Sequence, residues 1–399
     1  MSFFASVPMA PGDPILGLTE SFLADPRPHK INLGVGVYTD AHGKLPVLAA
    51  VQAVERALDG TLPRNYLPID GLPAYDRLTR ELLFGAGSPL LEAGRVATVQ
   101  TIGGSGALRV GADLLRQVET LSGRVAISRP SWGNHHVVFR TAGFALDEYR
   151  YYDDASHGLD FAGMREDLTR LEPGTVVLLH ACCHNPTGVD LDAAQWHEVA
   201  ALLKERKLLP FVDIAYQGFD RGTEADAAAI RILAEAGIDA FVVASSYSKS
   251  FSLYGERVGA LSLVGADRDE AARLLSKAKQ TIRANYSSPA AHGAQLVAGV
   301  LGSTELRAQW EQELGQMRER IHAMRAGFVT KLAARGLDYG FIARQAGMFS
   351  YSGLSAAQVQ RLREEFAIYA LSSGRICVAA LNDTNLDAVV EAVAAVGKA

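Results

Sequence analysis

Between about residues 95 and 265, short apolar runs alternate with amphipathic stretches, and this alternation constrains the fold more than any other feature of the sequence. A buried parallel strand is a continuous apolar run, and the return to the next parallel strand needs a crossover, usually a helix. We therefore predict an α/β fold in which helices join parallel strands and cover both faces of the sheet. The predicted strands are VATVQTI (96–102), RVAISR (124–129), TVVLLHACC (175–183), LLPFVDIAY (208–216), FVVASS (241–246) and GALSLV (259–264).

The sequence after residue 268 is more helical than the part before it. Apolar residues at three- and four-residue spacing predict one long helix over 304–335, which would bridge two domains. The tail mixes short strands with amphipathic helices, as in a smaller α/β domain that closes on the first. We expect an N-terminal arm with part of the small domain over 1–44, a large domain over 45–312 and a small C-terminal domain over 313–399.

Charge and cysteine content argue against several classes of function. The 399 residues contain 39 Lys and Arg against 44 Asp and Glu, whereas proteins that bind nucleic acid or anionic membranes usually carry a basic excess. No apolar stretch reaches the ~18 residues of a membrane-spanning helix, and the first residues lack the pattern of a secretion signal. Three cysteines cannot form a disulfide framework, which is typical of a cytoplasmic protein. Together with the charge and the apolar stretches, this predicts a cytoplasmic protein with no nucleic-acid or membrane partner.

Polar residues follow the predicted strands at what would be one edge of the sheet. They are Asn185, Asp213, Tyr216, Lys249 and Arg257. Ligands of open parallel sheets bind beyond the carboxyl ends of the strands, so these side chains are candidates for a site. Burial and a neighbouring cation both lower the pKa of a lysine. Lys249 would then be a nucleophile that forms a Schiff base with a carbonyl, the alternative being an ordinary ion-paired surface lysine.

The glycine-rich turn after the first strand suits a phosphate. VATVQTI leads directly into GGSG (103–106) and a helix, and the free N–H groups of a helix N-terminus bind anions. The alternative is a tight turn that simply requires small residues. Combined with Lys249 and with Asp213, which would keep a ring nitrogen protonated, the turn points to pyridoxal phosphate as the cofactor. Its protonated ring accepts the electrons left at a substrate α-carbon.

Other kinds of site remain possible from the residues alone. His180, Cys182 and His184 would share one face of an extended strand, but zinc needs a fourth group or an open position, and we expect no metal. Ser246-x-x-Lys249 fits the Ser-x-x-Lys of serine acyl-transfer enzymes, although no Lys-Thr-Gly follows. The glycine-rich turn also approximates the nucleophile elbow of serine hydrolases, with alanine in the last position.

Nine segments of the chain together carry the pattern of a known family. They are NLGVGVY (32–38), NYLPIDG (65–71), GGSGALR (103–109), PSWGNH (130–135), HNPTG (184–188), DIAYQGF (213–219), SYSKSFSLYGERVG (246–259), RANYSSP (283–289) and SGRICVA (373–379). In this order and spacing they resemble the fold-type I aspartate and aromatic amino acid aminotransferases, which belong to class I of the pyridoxal-phosphate aminotransferases. The resemblance implies a large domain with a mostly parallel seven-stranded sheet, and a smaller α/β domain.

The resemblance implies a role for each residue around the cofactor. Lys249 would bind pyridoxal phosphate covalently and transfer the proton during catalysis, with Tyr66 and Asp213 as further catalytic residues. Asp213 would pair with the pyridinium nitrogen, supported by His135 and His180. The ring would stack on Trp132. The residues implied to bind the phenolic oxygen are Asn185 and Tyr216, and those implied to bind the phosphate are Gly104, Ser105, Ser246, Arg257 and, from the other subunit, Tyr66.

The resemblance also implies a substrate site shared between two subunits. Arg375 would bind the substrate α-carboxylate close to Gly36, and Arg283 of the other subunit would bind the side-chain carboxylate of dicarboxylic substrates. The implied substrate-binding residues are Gly36, Trp132, Asn185, Arg283 and Arg375. Because each site would need both chains, a homodimer is implied.

The motifs resemble the aromatic branch of the family more closely than the aspartate branch. GMFSYSGLSAAQV (347–359) is one such segment, and Ser288 stands where the aspartate branch tends to have asparagine. The implied reaction transfers the amino group of an aromatic L-amino acid (tyrosine, phenylalanine or tryptophan) or of L-aspartate to 2-oxoglutarate, through pyridoxamine phosphate. The alternative is an aspartate aminotransferase that acts mainly on aspartate and oxaloacetate. A decarboxylase or lyase would share Lys249 and Asp213, but Arg375 favours a substrate that keeps its α-carboxylate.

Overall fold

The computed structural model describes residues 2–9, 12, 16–58 and 65–397 of the chain. The predicted N-terminal arm therefore lies partly outside the described residues, as do 59–64 and the last two residues of the predicted small domain. The strands of the described residues are β1 (Ile31–Asn32), β2 (Val96–Ile102), β3 (Arg124–Arg129), β4 (Ala145–Arg150), β5 (Tyr152–Asp153), β6 (Gly158–Leu159), β7 (Val176–His180), β8 (Leu209–Ile214), β9 (Phe241–Ser246), β10 (Val258–Val264), β11 (Phe349–Tyr351), β12 (Ile368–Tyr369) and β13 (Arg375–Cys377).

The helices connect these strands and cover them. Those of the described residues are α1 (Leu16–Ala24), α2 (Ala49–Leu58), α3 (Pro73–Phe84), α4 (Pro89–Glu92), α5 (Gly103–Leu115), α6 (Gly133–Thr141), α7 (Phe161–Arg170), α8 (Ala193–Glu205), α9 (Thr223–Asp226), α10 (Ala228–Glu235), α11 (Arg268–Asn285), α12 (His292–Gly302), α13 (Thr304–Ala333), α14 (Ala356–Phe366) and α15 (Leu386–Gly397). Short 3₁₀ turns lie at Gly340–Arg344 and Val378–Ala380. None of the described helices is both long enough and apolar enough to cross a membrane.

Seven strands of the described residues form the main sheet, in the order β2-β10-β9-β8-β7-β3-β4. Neighbouring strands from β9 to β4 are parallel, but β10 is antiparallel to both β2 and β9. The predicted mostly parallel seven-stranded sheet is confirmed, and β10 is the strand that runs antiparallel to its neighbours. Only residues 247–257 separate β9 from β10, which is too short for the helical crossover that a parallel return requires. This short return carries Lys249 and Arg257 along one edge of the sheet.

Two further differences from the predicted strands have local causes. The strand expected over 175–183 ends at His180, after which the chain bends away from the sheet. The edge strand β4 was missed because its sequence, ALDEYR, contains no apolar run. An edge strand is covered less completely than a central one, so its sequence resembles an exposed segment.

Two apolar clusters cover the opposite faces of the main sheet. Successive residues of a strand point to opposite faces, so Phe211 of β8 packs in one cluster and Val212 in the other. Nearly every residue of β8, β9 and β10 is buried. This double coverage explains why the central strands are continuous apolar runs in the sequence.

The predicted long helix is confirmed as α13, whose first turn is capped by the side chain of Ser303. Near its start, Trp310 stacks on Phe251 with ring centroids 4.5 Å apart and donates a hydrogen bond to the carbonyl of Ser250. Later turns of α13 pack against α15, and β1 pairs with β12. The helix thus contacts both the segment that follows β9 and the C-terminal part, and the domain boundary at 312–313 would fall within it.

Candidate active site

A cavity of about 250 Å³ lies at the carboxyl edge of the main sheet, where the C-terminal part of the chain meets it. Most of the residues singled out from the sequence line this cavity together. They are Gly36, Gly104, Ser105, Trp132, Asn185, Asp213, Tyr216, Ser246, Lys249, Arg257 and Arg375. The strand order brings them together, because β7, β8 and β9 are neighbours and end at the same edge.

Lys249 faces the cavity from the return between β9 and β10, with its Nζ 4.7 Å from the centre of the Tyr216 ring. Burial lowers the pKa of Lys249 to about 8, assisted by the positive charges of Arg257 and Arg375 and opposed by the charge of Asp213. Near neutral pH a larger fraction of this amine is therefore unprotonated than in an exposed lysine. An unprotonated amine is the form that attacks a carbonyl.

Asp213 lies near the end of β8 and is buried, with its Oδ2 2.9 Å from Nε2 of His135. Nδ1 of His135 lies 2.9 Å from the hydroxyl of Ser131. Burial by itself would raise the pKa of Asp213, but the His135 hydrogen bond and the charge of Lys249 help to hold it below its ordinary value. The cavity therefore contains a buried carboxylate that keeps its negative charge.

His180 does not support Asp213 by a hydrogen bond. It is opposite Asp213 across the β7–β8 pair, but both of its ring nitrogens are buried and have no hydrogen-bond partner. Its ring instead contacts those of His135 and His184, at centroid distances of 5.1 and 4.3 Å. Burial lowers the pKa of His180 to about 3, so this ring is neutral at physiological pH.

The extended-strand arrangement considered for a metal at His180, Cys182 and His184 is wrong, because β7 ends at His180. Among the described residues, the group whose ligand atoms come close enough for a metal is His135, His180 and Asp213, within 4.8 Å of one another. Two members of this group, His135 and Asp213, already bond to each other.

Asn185 and Arg375 connect the two parts of the molecule. Nη1 of Arg375 donates to Oδ1 of Asn185 at 3.0 Å, and Nη2 donates to the carbonyl of Gly34 at 2.6 Å. The guanidinium lies over the ring of Phe349, 4.0 Å from its centre, and its Nε is buried without a partner. Such a group is an arginine fork held in place with donor capacity left for a carboxylate.

The loop that carries Asn185 is fixed by a buried carboxylate. Asp190 accepts hydrogen bonds from the backbone N–H groups of Cys183 and His184, at 2.6 and 2.8 Å. Burial raises the pKa of Asp190 to about 6, and the two N–H donors act against that rise. The two bonds hold the bend that follows β7.

The N-terminus of α5 forms a cradle that side chains on its glycines would fill. A Cβ at Gly103, where φ is +66°, would lie 2.6 Å from Nη2 of Arg257, and one at Gly104 would lie 3.0 Å from Cβ of Ser246. Glycine therefore lets the arginine and the serine approach the first N–H groups of the helix. Free backbone N–H groups beside a guanidinium are a binding site for a phosphate.

Trp132 and Tyr216 provide the aromatic walls of the cavity. Trp132 is the residue before α6, and its ring meets that of His135 edge to face at 5.2 Å. Tyr216 is buried, and its ring meets that of Phe349 edge to face at 5.8 Å. Both rings line the cavity.

Tyr66 and Arg283 do not line the cavity of their own chain as described. Tyr66 is 94% exposed, and Arg283 is an exposed residue in the last turn of α11 whose guanidinium bonds to the hydroxyl of Ser287. Both are thus available to another molecule. Their placement in a shared site stays a prediction.

Several lining residues escaped the sequence reasoning. They are Leu108, Ala215, Ser248, Tyr254 and Phe349. Four of these, Leu108, Ala215, Ser248 and Tyr254, lie within one to five residues of a predicted site residue, so their position in the motifs was the available signal. Phe349 lies in the quoted segment 347–359, but no predicted site residue is near it in sequence, and only the pairing of β11 with β13 brings it beside Arg375.

Comparison with known proteins identifies the family. The sequence model for "Aminotransferase class I and II" matches residues 28–393. The chain is 58% identical to an aspartate aminotransferase of Pseudomonas aeruginosa, over 98% of this chain and 99% of that protein. It is 59% identical to an aromatic-amino-acid aminotransferase from Burkholderia pseudomallei solved covalently bound to pyridoxal phosphate, with a TM-score of 0.96 over 99% of this chain and 100% of that one.

A third relative of known structure is also similar along its whole length. It is an aromatic amino acid aminotransferase from Psychrobacter sp. B6, solved after cocrystallisation with aspartic acid, and it is 44% identical with a TM-score of 0.97 over the whole of both chains. These structures confirm the predicted fold class, fold-type I. The chain belongs to the class I and II aminotransferase family.

Proposed function

We propose that this enzyme transfers the amino group of an aromatic L-amino acid or of L-aspartate to 2-oxoglutarate, with pyridoxal 5′-phosphate as cofactor. The observation that carries the proposal is the presence, in one cavity, of a lysine of lowered pKa, a charged buried carboxylate and an anion cradle. The family match and the relatives support the same reaction.

The residues of the cavity fit the cofactor. When bound, pyridoxal phosphate supplies an electron-accepting ring that stabilises the negative charge left when the substrate α-carbon loses a proton. Asp213 keeps a negative charge for the ring nitrogen, and Asn185 and Tyr216 provide donors for the ring hydroxyl. The phosphate would be bound by Gly104, Ser105, Ser246 and Arg257, with Tyr66 of a second subunit. Trp132 would cover one face of the ring.

Lys249 would serve as base and acid as well as the attachment point for the cofactor. With its lowered pKa, the Nζ can accept the proton of the substrate α-carbon and later return it. Asp213 and Arg257 line the same cavity, and their opposite charges shift the pKa of this amine in opposite directions.

Substrate binding would use both parts of the chain. Arg375, held against Asn185 and Phe349, is placed for the α-carboxylate, with Gly36 beside it in the cavity wall. Gly36 leaves the room that this arrangement needs, since a Cβ there would lie 2.7 Å from the Phe349 ring. Arg283 of a second subunit would bind the side-chain carboxylate of aspartate or 2-oxoglutarate and leave room for an aromatic ring.

The proposal includes a homodimer in the cytoplasm. The exposure of Tyr66 and Arg283 supports a site completed by a second copy of the chain. The cysteines Cys182, Cys183 and Cys377 are buried and free, which fits a reducing compartment. The division into segments 1–44, 45–312 and 313–399 is part of the same proposal, with β1 paired to β12 in support of the first segment.

The test of the reaction is an absorption spectrum of the purified enzyme. Adding an amino acid should convert the visible band of the lysine-bound cofactor into the near-ultraviolet band of pyridoxamine phosphate, and adding 2-oxoglutarate should restore it. Lys249→Ala should abolish this cycle while still binding the cofactor noncovalently, whereas the exposed Lys44→Ala should behave as the wild type. A wild-type spectrum that does not respond to any amino acid would contradict the proposed reaction.

The preferred donor distinguishes the proposal from its alternative, an aspartate aminotransferase. The 58% identity to the Pseudomonas protein is the observation that favours that alternative. Comparing kcat/KM for phenylalanine and aspartate decides between them. An aspartate preference of about a hundredfold, roughly 3 kcal/mol in transition-state stabilisation, with phenylalanine near background would exclude the aromatic assignment.

A further inference from the structure

Arg325, on the long helix α13, is a buried cation without a carboxylate. Its side chain is 3% exposed, and none of the ion pairs among the described residues includes it. Burial lowers its pKa to about 10, so the group is still cationic at neutral pH. An unpaired buried charge is costly, and chains keep one where it bonds to polar groups that must be fixed.

The partners of Arg325 all belong to one segment of the chain. Nη2 donates to the carbonyls of Gly347 and Phe349, at 2.6 and 3.1 Å. Nη1 donates to the hydroxyl of Ser350 and to the carbonyl of Ile342, the latter at 3.3 Å. The planar guanidinium of arginine carries several N–H donors in fixed directions and can bind several backbone carbonyls at once. The compact ammonium group of a lysine cannot replace this arrangement.

This segment supports Arg375 directly. β11 begins at Phe349 and pairs with β13, the strand that begins at Arg375. The Phe349 ring lies under the Arg375 guanidinium at 4.0 Å and also against Gly36. The backbone bound by Arg325 therefore fixes the position of the Phe349 ring, and the Arg375 guanidinium packs on that ring.

The same segment also touches the loop that carries Asn185. The N–H of Ala346 donates to the carbonyl of Gly188 at 2.6 Å, and a Cβ at Gly188 would lie 2.9 Å from the carbonyl of Ala346. Asn185 in turn accepts a hydrogen bond from Arg375. Residues 346–350 thus contact both the loop after β7, through Ala346, and Arg375, through the ring of Phe349.

We infer that Arg325 is a positioning residue for substrate carboxylate binding: it fixes the backbone of 347–350, and through Phe349 it sets the orientation of the Arg375 guanidinium. The inference rests on the proposed role of Arg375. It assigns Arg325 no contact with substrate or cofactor. Its expected effect is on carboxylate affinity and not on the proton transfer at Lys249.

The test compares Arg325→Lys, which keeps the charge but loses the fork, with Leu332→Ala as a matched control. Leu332 is fully buried two turns later on α13 and does not touch the segment through a polar group. Arg325→Lys should raise KM for the amino acid, and the Kd of succinate measured by calorimetry, by about tenfold or more, while kcat changes by less than about threefold. Hydrogen exchange at the amides of 347–350 should become faster.

Leu332→Ala should lower the thermal unfolding midpoint without these changes in KM and Kd. If Arg325→Lys lowers the unfolding midpoint but leaves both constants within about twofold of the wild type, the inference is wrong and Arg325 is only a core residue. Ser350→Ala, which removes one partner of the fork, should shift both constants in the same direction by about three- to fivefold, and constants within about twofold of the wild type would count against the inference. It decides the question if Arg325→Lys does not fold.

The failure of this inference differs from a failure of the proposed function. If the wild type lacks the amino acid-dependent change in its spectrum, the proposed reaction is wrong. If that change is present and succinate binds equally well to the wild type and to both variants, the reaction stands and only the role of Arg325 is rejected.

Discussion

Two buried carboxyl groups of this chain differ in charge because they differ in their donors. Asp213 has the Nε2 of His135 at 2.9 Å, and its pKa lies below the ordinary value. Asp76 of α3 is equally buried but has an oxygen without a partner, and burial raises its pKa to about 8 in spite of the nearby Arg80. A buried carboxyl group stays ionised when a hydrogen-bond donor points at it. Of these two groups, only Asp213 has such a donor.

Asp76→Asn is expected to remove a pH dependence from stability. In the folded state Asp76 keeps its proton up to about pH 8, whereas in the unfolded state it loses it near pH 4. The unfolded state therefore binds fewer protons in this window, and stability falls as the pH rises through it. The variant should match the wild type at pH 4 and exceed it by several kcal/mol at pH 8.5, since the pKa difference between the two states corresponds to at most roughly 5 kcal/mol; denaturant unfolding measures both.

The exposed Asp383→Asn is the control for this measurement and should leave the pH dependence unchanged. Wild-type stability that does not fall between pH 4 and pH 8.5 would show that Asp76 is ionised in the folded protein. An Asp76→Asn variant that follows the wild-type curve would show that another group causes the fall.

At the scale of elements, the turn between β2 and α5 meets the return between β9 and β10. Gly259 at the start of β10 faces this turn, and a Cβ there would lie 2.4 Å from the carbonyl carbon of Gly103. The two backbones can touch only because neither carries a side chain at this point. Their contact sets the distance between the N-terminus of α5 and Arg257, and so the size of the anion cradle.

Gly103→Ala is expected to weaken cofactor binding by about tenfold or more, because the methyl group would displace the Arg257 guanidinium from the cradle. The positive φ of Gly103 adds backbone strain of about 1 kcal/mol. The measurement is the Kd of pyridoxal phosphate for the cofactor-free enzyme, by fluorescence titration. Gly106→Ala, where the nearest atom to the new Cβ is 3.4 Å away, is the matched control and should bind nearly as the wild type does. Equal affinity in the two variants would contradict the cradle.

At the scale of the whole molecule, the cavity is built from distant parts of the chain yet lacks two of the implied residues. Gly36 and Arg375 reach it from the part that packs on the second half of α13, while Lys249 and Asp213 belong to the main sheet. Tyr66 and Arg283 remain outside the cavity of their own chain.

Subunit complementation should reveal a site shared by two chains. The Lys249→Ala and Arg283→Ala homodimers should both be deficient with aspartate, the second by about a hundredfold in kcat/KM from loss of a charged carboxylate contact. In a mixed dimer, the subunit that keeps Lys249 receives an intact Arg283 from its partner. Coexpression with two affinity tags should therefore yield mixed dimers with one working site and restored aspartate transamination.

Phenylalanine provides the internal control for complementation, since Arg283→Ala should change its kcat/KM by less than about fivefold. Mixed dimers no more active with aspartate than the two parents together would contradict the shared site. A monomer by light scattering at micromolar concentration would contradict it independently.

Much of the cavity could be predicted from the sequence because its residues lie next to strand ends. Asn185, Asp213 and Lys249 each follow or end an apolar run, and parallel neighbouring strands finish at the same edge. The roles assigned by resemblance remain predictions, although the structure brings these residues together. His180 differs from what the resemblance implied, since it was expected to support Asp213, whereas its ring nitrogens have no hydrogen-bond partner.

The α/β class, the long helix and the edge of the sheet that carries the chemistry could be predicted from the sequence, because apolar periodicity and strand ends are local properties of the chain. The antiparallel direction of β10, the support of Arg375 by Phe349 and the burial of Arg325 beneath Phe349 are seen only in the folded chain. These features depend on contacts between segments far apart in sequence. Their geometry is set by packing, which no local pattern records.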